Sequence, residues 1–524
     1  MIQLINMKRL SVAGLLLGVM LFSTSCDDIV DEQPVSELAA DNFWRNNKDA
    51  ALGIAAIYDG LQPTYRLKHY YWGEFRSDNF APGTGSANAN DLQLMANDIT
   101  SGNGGVLRWD DFYTTINRAN LAIKYIPQID GFDPKLLAEA YAIRAYLYFD
   151  ATRVWGAVPL FLEPVESADQ EVQFPRTDAA TIMSDVVIPD MLQAEELMST
   201  ISISDAYRFS QTSILALQAD VYMWLGEYDN AKNVLDEIVA TGEFSLVDTP
   251  EDWQNLFLND DGEGGGPVKV QEGPELMFSI AFNINEPRDN PEQTRANRSG
   301  IFSLFFAGLP SYFLSPILEN KWIEKFPIDS LGWVTKYPGT TPPLTRVNDD
   351  GETVPVYGDF RYYFSREDGL DGIGSTLIGE ARLAKYNKTN YSQDLDDSDI
   401  VLYRYSGMLL LLAEAENRLN NSVRALELVN EIRTARQLPL VTEVEFGATV
   451  VEREAYILDE RQIELLGEAE RWWDLRRTEN AIPTLNPILD TLQGGVPLTD
   501  ERLLFPIFDD HLIENPNIEQ NSGY

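Results

Sequence analysis

A striped helix constrains the fold of this 524-residue chain more than any other feature. After Asp133-Pro134, apolar residues recur every three or four positions up to Trp155, the pattern of a helix packed against a neighbour. Gly156 follows, at a position where glycine commonly ends a helix. The stripe consists of Leu136, Ala140, Ile143, Leu147, Ala151 and Val154. A long helix with an apolar stripe along one face predicts that other helices pack against that face.

Other segments have the same periodicity. Helices are predicted over residues 43–61, 106–126, 178–198, 210–240, 401–436 and 449–477, with breaks inside the longer ones. No comparable run has the alternation of a half-buried strand. The chain is therefore predicted to be mainly α, with an N-terminal helical scaffold over residues 43–242 and a C-terminal helical part and tail over residues 401–524.

Two of these segments share an internal pattern. Ala219 and Ala231 lie 12 residues apart on either side of a predicted turn at Gly226. Ala413 and Ala425 repeat the spacing around Asn420-Asn421, and asparagine also adopts the left-handed conformation that such a turn needs. Both segments resemble the tetratricopeptide helical hairpin, in which small residues let paired helices approach closely. The resemblance implies a superhelical scaffold and no particular ligand.

Residues 243–400 lose this periodicity and predict a loop-rich insertion. Glycine, proline, asparagine and aspartate separate short apolar pieces such as 276–280, 301–306 and 383–386. Binding residues are often on loops held by a rigid scaffold, so the insertion is a candidate ligand-facing surface. Its aromatic residues include Trp253, Tyr312, Trp322, Trp333, Tyr337 and Tyr357.

The N-terminus has the features of a lipoprotein signal peptide. Lys8-Arg9 precedes an apolar run from Leu10 to Phe22 that is too short to span a bilayer. Cys26, the chain's single cysteine, follows three small residues, although Ser23 replaces the leucine of a strict lipobox. We predict cleavage after residue 25, lipidation of Cys26 and a tether over residues 26–42. Lipid chains would then anchor the mature protein.

Charge limits the possible partners. The formal net charge is −42, and it becomes −44 once residues 1–25 remove Lys8 and Arg9. Such a field repels nucleic acid and anionic membrane surfaces, so membrane contact is expected through the lipid alone. A neutral or cationic ligand is favoured.

Signs of catalysis are missing from the sequence. It contains no nucleophile elbow, phosphate loop, zinc helix or dinucleotide fingerprint, and its two histidines are His69 and His511. Acidic residues at 394, 396, 397 and 399 could ligate a cation, but a solvated loop is the better interpretation, so no metal or cofactor is expected. Two classes of function stay open on the residues alone: a lipid-anchored helical-repeat scaffold that binds protein or peptide, and an all-helical glycosidase using two carboxylates.

A series of motifs follows the order of the chain. They are Asn42-Phe43-Trp44, Trp109 with Tyr113, Ile116, Asn117, Ala119 and Asn120, Ala138-Glu139-Ala140 with Arg144-Ala145 and Tyr148-Phe149, Gly156 with Val158-Pro159-Leu160, Glu460-Arg461 with Glu464-Leu465 and Glu468, Arg471-Trp472-Trp473-Asp474-Leu475 with Arg477, and Phe505-Pro506-Ile507, Asn515-Pro516-Asn517, Gln520-Asn521 and Gly523-Tyr524. Together they resemble the SusD/RagB family of outer-membrane nutrient-binding lipoproteins. Within the segment 460–477, residues 467, 469 and 470 (Gly, Ala and Glu) depart from the family's usual aromatic, glycine and histidine.

This resemblance implies an outer-membrane lipoprotein that binds an oligosaccharide, polysaccharide or sometimes a peptide and serves a TonB-dependent transporter. Charged and aromatic residues within the helical motifs, such as Arg144, Glu460, Arg471 and Trp472, are expected to be structural.

Sugar rings stack on exposed aromatics and hydrogen-bond to polar side chains, which selects the candidate binding residues. The stretch 70–79 combines both chemistries between two predicted helices, with Trp72 as its leading residue, and the insertion supplies an opposite edge. Each aromatic could equally be a core residue. The candidates are Trp72, Tyr70, Tyr71, Asp78 and Asn79 from the first stretch, and Asn283, Arg288, Tyr312, Trp322 and Trp333 from the insertion.

Overall fold

Helices packed one on the next form the framework of the protein. This computed structural model describes residues 43–83, 89–199, 205–257, 271–283, 299–305, 312–326, 345–347, 353–355, 358–366, 378–386 and 398–524. From Asn46 onward they belong to one compact unit. The expected signal peptide, Cys26 and the tether lie outside the described residues. Among the described helices, none is long and apolar enough to cross a membrane.

The N-terminal helices pack in nearly the order of the chain. They are α1 (Asn47–Tyr65), α2 (Lys68–Gly73), α3 (Ala89–Met95), α4 (Gly104–Leu107), α5 (Asp110–Tyr125), α6 (Pro134–Trp155), α7 (Ala179–Ile182), α8 (Ile188–Met198), α9 (Gln211–Leu225) and α10 (Tyr228–Thr241). α5 packs on α1 and on α6, α6 on α8, and α9 on α8 and α10.

The remaining described helices are α11 (Pro250–Asn255), α12 (Ile301–Phe305), α13 (Pro316–Lys325), α14 (Phe360–Phe364), α15 (Tyr405–Arg418), α16 (Ser422–Ala435), α17 (Glu443–Phe446), α18 (Val450–Glu464), α19 (Arg471–Arg477), α20 (Ala481–Leu489) and α21 (Asp509–Glu514). The C-terminal helices continue the stack, because α15 packs on α10, α16 and α18. The mainly helical prediction is thus confirmed.

Side-chain caps fix where several helices start. Asn46 accepts hydrogen bonds from the amides of Lys48 and Asp49, so α1 begins four residues later than predicted. Asp133 caps α6 in front of Pro134, as the sequence suggested. Thr449 and Glu452 form a capping box at the start of α18.

The two predicted hairpins are α9–α10 and α15–α16. Their four alanines, at 219, 231, 413 and 425, are fully buried. Gly226 ends α9 with φ 72°, and Asn420 adopts φ 65° at the corresponding turn. Asparagine therefore replaces the turn glycine as predicted.

Short strands were not predicted from the sequence. The described residues contain β1 (Phe80–Pro82), β2 (Val158–Pro159), β3 (Arg176–Thr177), β4 (Leu276–Ile280), β5 (Tyr312–Leu314), β6 (Thr345–Val347), β7 (Thr353–Pro355) and β8 (Ile400–Arg404). These strands form two-stranded antiparallel sheets that pair β1 with β5, β2 with β3, β4 with β8 and β6 with β7. The pair β4–β8 joins the insertion to the strand that leads into α15.

A buried ion network fastens the insertion to the C-terminal helices. Glu464, at the end of α18, pairs with Arg361 at 2.6 Å and with Arg404 and Arg436 at 2.7 Å each. Glu275 pairs with Arg404 at 2.9 Å and with Arg436 at 2.7 Å. All five side chains have lost their contact with water almost completely. The network joins five segments that are far apart in the sequence.

The charges in this network keep Glu464 ionised. Burial raises the pKa of a carboxyl group, but the guanidinium groups of Arg436, Arg404 and Arg361 outweigh that effect and hold the pKa of Glu464 well below its usual range. Removing the carboxylate charge would take one acidic partner from each of three buried guanidinium groups.

We predict that Glu464→Gln lowers the free energy of unfolding by about 3–5 kcal/mol, because it breaks a buried ion network from one side. Urea titration followed by circular dichroism measures the loss. The matched control is Glu237→Gln, on the exposed side of α10, which should change stability by less than about 0.5 kcal/mol.

The same comparison has an expected pH dependence. A depressed pKa in the folded state contributes stability that is present above the ordinary carboxyl pKa and is lost as the pH falls below it. The difference in the free energy of unfolding between wild type and Glu464→Gln should therefore become smaller below about pH 4.5. A loss for Glu464→Gln as small as that of Glu237→Gln would show that the network does not stabilise the fold.

Candidate functional site

The structure buries Trp72, the leading residue of the predicted ligand platform. Its side chain is 2% exposed, and its indole Nε1–H donates to the carbonyl oxygen of Val106 at 3.0 Å. The ring meets Trp155 and Phe112 edge-on, with centroids 5.3 and 6.2 Å apart. The expected exposure of Trp72 is therefore wrong. A ring enclosed on all sides offers no face to a sugar.

The burial follows from how α2 packs. An added Cβ on Gly73 would lie 1.9 Å from the carbonyl oxygen of Ala469, so α2 sits directly on the turn after α18. Glu74 secures the contact by accepting from the amides of Gly467 at 3.2 Å and Ala469 at 2.9 Å. The stretch predicted as an exposed loop is an internal helix with a polar anchor.

The other candidates of this stretch are also core residues. Tyr70 is fully buried and Tyr71 is 8% exposed. Asp78 forms a two-pronged ion pair with Arg471, with N–O distances of 2.7 and 3.0 Å. Asn79 donates to Glu74 at 2.7 Å. These polar groups satisfy one another, and the prediction that they face solvent is wrong.

The insertion packs directly against the first stretch and does not face it across a binding cleft. β5 pairs with β1, and the ring of Tyr312 stacks on Phe75 with centroids 3.9 Å apart. Trp322 is 1% exposed and donates to Asp359 at 2.9 Å. The exposure expected of Tyr312 and Trp322 is wrong as well. Asn283 is exposed.

Two further candidates, Arg288 and Trp333, lie outside the described residues. What remains between the two predicted edges is a small cavity of about 230 Å³. It is lined mainly by aliphatic residues such as Ile317, Leu485 and Leu489, with Asp78 at its polar side. This cavity lacks the exposed aromatic faces that the platform required.

A larger open groove lies at the start of α5. Its volume is about 530 Å³, within the range of small-ligand sites. Three elements form it: α5, the segment 159–173 and the tail from α21 onward. The lining includes Trp109, Asp110, Tyr113, Asn117, Phe161 and Glu514. We call it the aromatic groove.

Trp109 and His511 form its base. Their rings stack with centroids 4.7 Å apart and planes 9° apart. The amide of Trp109 donates to His511 Nε2 at 3.2 Å, so that nitrogen is unprotonated. Burial lowers the pKa of His511, although Asp110 and Glu514 oppose the shift. The base of the aromatic groove is thus neutral at physiological pH.

Tyr113 and Phe161 provide half-exposed aromatic surface above this base. Their rings meet at 5.5 Å between centroids, and the Tyr113 hydroxyl donates to the carbonyl oxygen of Pro159 at 2.7 Å. The carbonyl oxygen of Phe161 accepts from Asn120 at 2.8 Å. Both rings are therefore held in place before any ligand arrives.

The tail completes the wall through amide side chains. Gln173 donates to the carbonyl oxygen of Glu514, and Asn515 donates to that of Phe174, each at 2.8 Å. Asp110 and Glu514 stand exposed at the rim. Apolar rings beside carboxylates and amides form a surface suited to an uncharged, hydroxyl-rich molecule. Within the described residues, no group of three or more histidine, cysteine or acidic side chains could hold a metal ion.

Sequence reasoning placed Trp109, Tyr113, Asn117 and the Asn515 tail in family motifs but not in a site. The spacing of Trp109 and Tyr113, four residues apart, could have indicated neighbouring rings on one helical face. The contribution of His511, about 400 residues further along, left no comparable signal.

The fold defines a helical-repeat protein of the tetratricopeptide type, and comparisons identify its family. A family model described as "SusD family" matches residues 337–524, and one described as "Starch-binding associating with outer membrane" matches residues 30–223. SusD-like protein P38 of Formosa agariphila is 42% identical over 524 residues, covering 99% of each chain. SusD-like protein P25 of the same organism is 23% identical over 487 residues, covering 86% of this chain and 87% of the relative. The chain belongs to the SusD family.

Solved structures share the fold. NanU of B. fragilis has a TM-score of 0.66 at 22% identity, covering 94% of this chain and 99% of its own. A protein described as a laminarin-binding SusD-like protein has a TM-score of 0.65 at 20% identity, covering 92% of this chain and all of its own. The tetratricopeptide-like architecture inferred from the two hairpins is thereby confirmed.

We predict that Trp72→Ala lowers the free energy of unfolding by about 3–5 kcal/mol, because it leaves a cavity among packed aromatic rings. Thermal and urea unfolding measure the change. Phe174→Ala serves as the control, since Phe174 is 38% exposed and its removal leaves little cavity. Unfolding of Trp72→Ala at the wild-type urea concentration would contradict the packing described here.

Proposed function

We propose that this protein is a lipid-anchored cell-surface receptor that captures an oligosaccharide and delivers it to a TonB-dependent outer-membrane transporter. The observation that carries the proposal is the 42% identity to a SusD-like protein along 99% of both chains. A matching family model described as starch-binding and a structural neighbour described as laminarin-binding make a glycan the favoured ligand class.

The aromatic groove supports capture of a sugar by physical means. The half-exposed rings of Tyr113 and Phe161 can stack on the C–H faces of a pyranose. Thr114, Gln173 and Glu514 stand at the edge, where sugar hydroxyls need partners. Since the groove is open and preformed, it suits a chain longer than one sugar unit.

The anchoring proposal depends on the N-terminal sequence. A signal peptide that ends in small residues before Cys26 is consistent with acylation, and the family description places a relative at the outer membrane. Delivery to a transporter is proposed from the family relationship, because binding at a surface needs a partner that moves the ligand across it.

Binding without catalysis is the simplest function for this chain. The aromatic groove contains the carboxylates Asp110 and Glu514, and both stand exposed at its rim. The acid carboxyl of a glycosidase is usually enclosed in an apolar pocket instead. Product analysis on soluble polysaccharides tests this part of the proposal directly.

We predict that Tyr113→Ala and Phe161→Ala each weaken oligosaccharide binding by about 5- to 150-fold, the range seen when an aromatic stacking partner is removed. Isothermal titration calorimetry with laminari- and malto-oligosaccharides gives the affinities. Tyr222→Ala is the control, because this half-exposed ring on α9 lies outside the groove.

The possible outcomes distinguish an error in the proposed binding site from an error in the proposed ligand class. A glycan that binds wild type and both groove variants equally would reject the aromatic groove and keep the glycan receptor. If no oligosaccharide bound while a short peptide did, the glycan itself would be the wrong ligand class. Melting temperatures of all variants must match wild type for either conclusion.

We predict that Cys26→Ala releases the protein from membranes without unfolding it, because Cys26 precedes every described helix. Fractionation of cells into membrane and soluble parts, with a high-salt wash, measures the change. Ser25→Ala is the matched control and should stay in the membrane fraction. A Cys26→Ala variant that remained bound after the wash would show that the lipid is not the anchor.

A further inference from the structure

An unusual apolar face closes the C-terminal end of the helical stack. α16 packs on α15 and α18, and no further hairpin follows on its outer side among the described residues. The outer helix of a repeat array normally carries a polar face, which keeps the end of the array soluble. Here Val423 on α16 is 64% exposed, and nearby Leu440 and Val444 are 61% and 91% exposed.

These residues line a groove of about 870 Å³ between α16 and the segment 440–448. Leu426 and Phe446 form its floor. Apolar side chains that are exposed together, around a concavity, mark an interaction site more often than isolated ones do. We call this the end groove.

The end groove is held open by its own hydrogen bonds. Asn430 on α16 donates to the carbonyl oxygen of Val441 at 3.0 Å and accepts from its amide at 2.7 Å. Arg433 donates to the carbonyl oxygen of Pro439 at 2.6 Å, and Arg453 donates to that of Ala448 at 2.9 Å. The segment 440–448 is thus held in place as a preformed wall of the groove, which reduces the entropy lost when a partner binds.

Its rim is acidic. Glu427, Glu431 and Glu443 line the groove and are exposed. Glu427 has an exposed pairing with Arg424 at 3.4 Å, whereas Glu431 and Glu443 form no salt bridge with any residue that the structure describes. Arg453, the cation of the lining, is buried and bonded to backbone carbonyls. The rim therefore has unbalanced negative charge.

The rim charge argues against occupants from this same protein. Residues 26–42, the predicted tether, contain six acidic residues and no lysine or arginine. A second copy would bring another strongly negative surface, with a net charge of −42 per chain. Like charges brought together at an apolar contact oppose association.

We infer that the end groove docks a cationic, amphipathic segment of another protein, with apolar side chains in the groove and lysine or arginine against the glutamate rim. Burial of Val423, Leu440 and Val444 supplies the attraction, and the three carboxylates select the sign of the charge. This surface is separate from the aromatic groove, since the two share no lining residue.

The test uses a fluorescein-labelled synthetic peptide about four helical turns long, with leucines at helical i, i+3 and i+4 spacing and lysines elsewhere. A matched peptide replaces every lysine with glutamate. Fluorescence anisotropy with residues 27–524 should show that the lysine peptide binds and that its affinity falls as the salt concentration rises. The glutamate peptide should bind at least about tenfold more weakly.

Variants locate the binding. Val444→Asp should lower the affinity for the lysine peptide about tenfold or more. The double variant Glu431→Gln with Glu443→Gln should lower that affinity about fivefold and make it less dependent on salt concentration. Val451→Asp is the control, because Val451 on α18 is 72% exposed and lies outside the end groove. It should bind the peptide as wild type does.

Three results would overturn the inference: equal affinity of Val444→Asp and wild type, equal binding of the two peptides, or a wild-type dimer in sedimentation velocity that Val444→Asp dissociates. The last would assign the groove to a second copy of the chain. Oligosaccharide affinity measured on the same variants should stay unchanged, so failure here leaves the proposed glycan function untouched.

Discussion

A carboxylate without water is the constraint on which the C-terminal half of this fold depends. Glu464 is buried, and it stays ionised because guanidinium groups arrive from β8, from the end of α16 and from α14 in the insertion. Each arginine must lie within hydrogen-bond distance of this carboxylate, because a buried charge without partners destabilises the folded state. That requirement aligns β8 with β4, orients α16 and locks part of the insertion. The irregular segment is thereby joined to the helices by charge as well as by apolar packing.

The helical scaffold was predictable because its information is local. The stripe on α6, the cap at Asp133 and the turn at Asn420 are all contained within short windows of sequence. The short strands were not predictable, since β4 needs a partner more than 100 residues further along the chain. Pairing at that distance leaves no periodic signal in a five-residue strand.

The exposure expected of the stretch 70–79 was wrong for a related reason. Aromatic residues mixed with polar ones describe an exposed sugar platform and a buried helix with a polar network equally well. Asp78 and Asn79 can be buried only if other side chains form hydrogen bonds with them. Those side chains are Arg471 and Gln462, some 390 residues away in the sequence. The aromatic groove has the same property, because its walls come from opposite ends of the sequence. Local composition identified aromatic-rich segments but not which of their rings face solvent.

This arrangement makes the aromatic groove depend on long-range folding. Its wall from α21 and the following tail faces Trp109 and Tyr113 across about 400 residues of sequence. Contacts between such distant segments form slowly, because a long loop must close before the contacts stabilise it. A partly folded chain could have Trp109 and Tyr113 on a formed α5 and still lack the second wall. The concave aromatic surface is therefore a property of the fully folded protein alone.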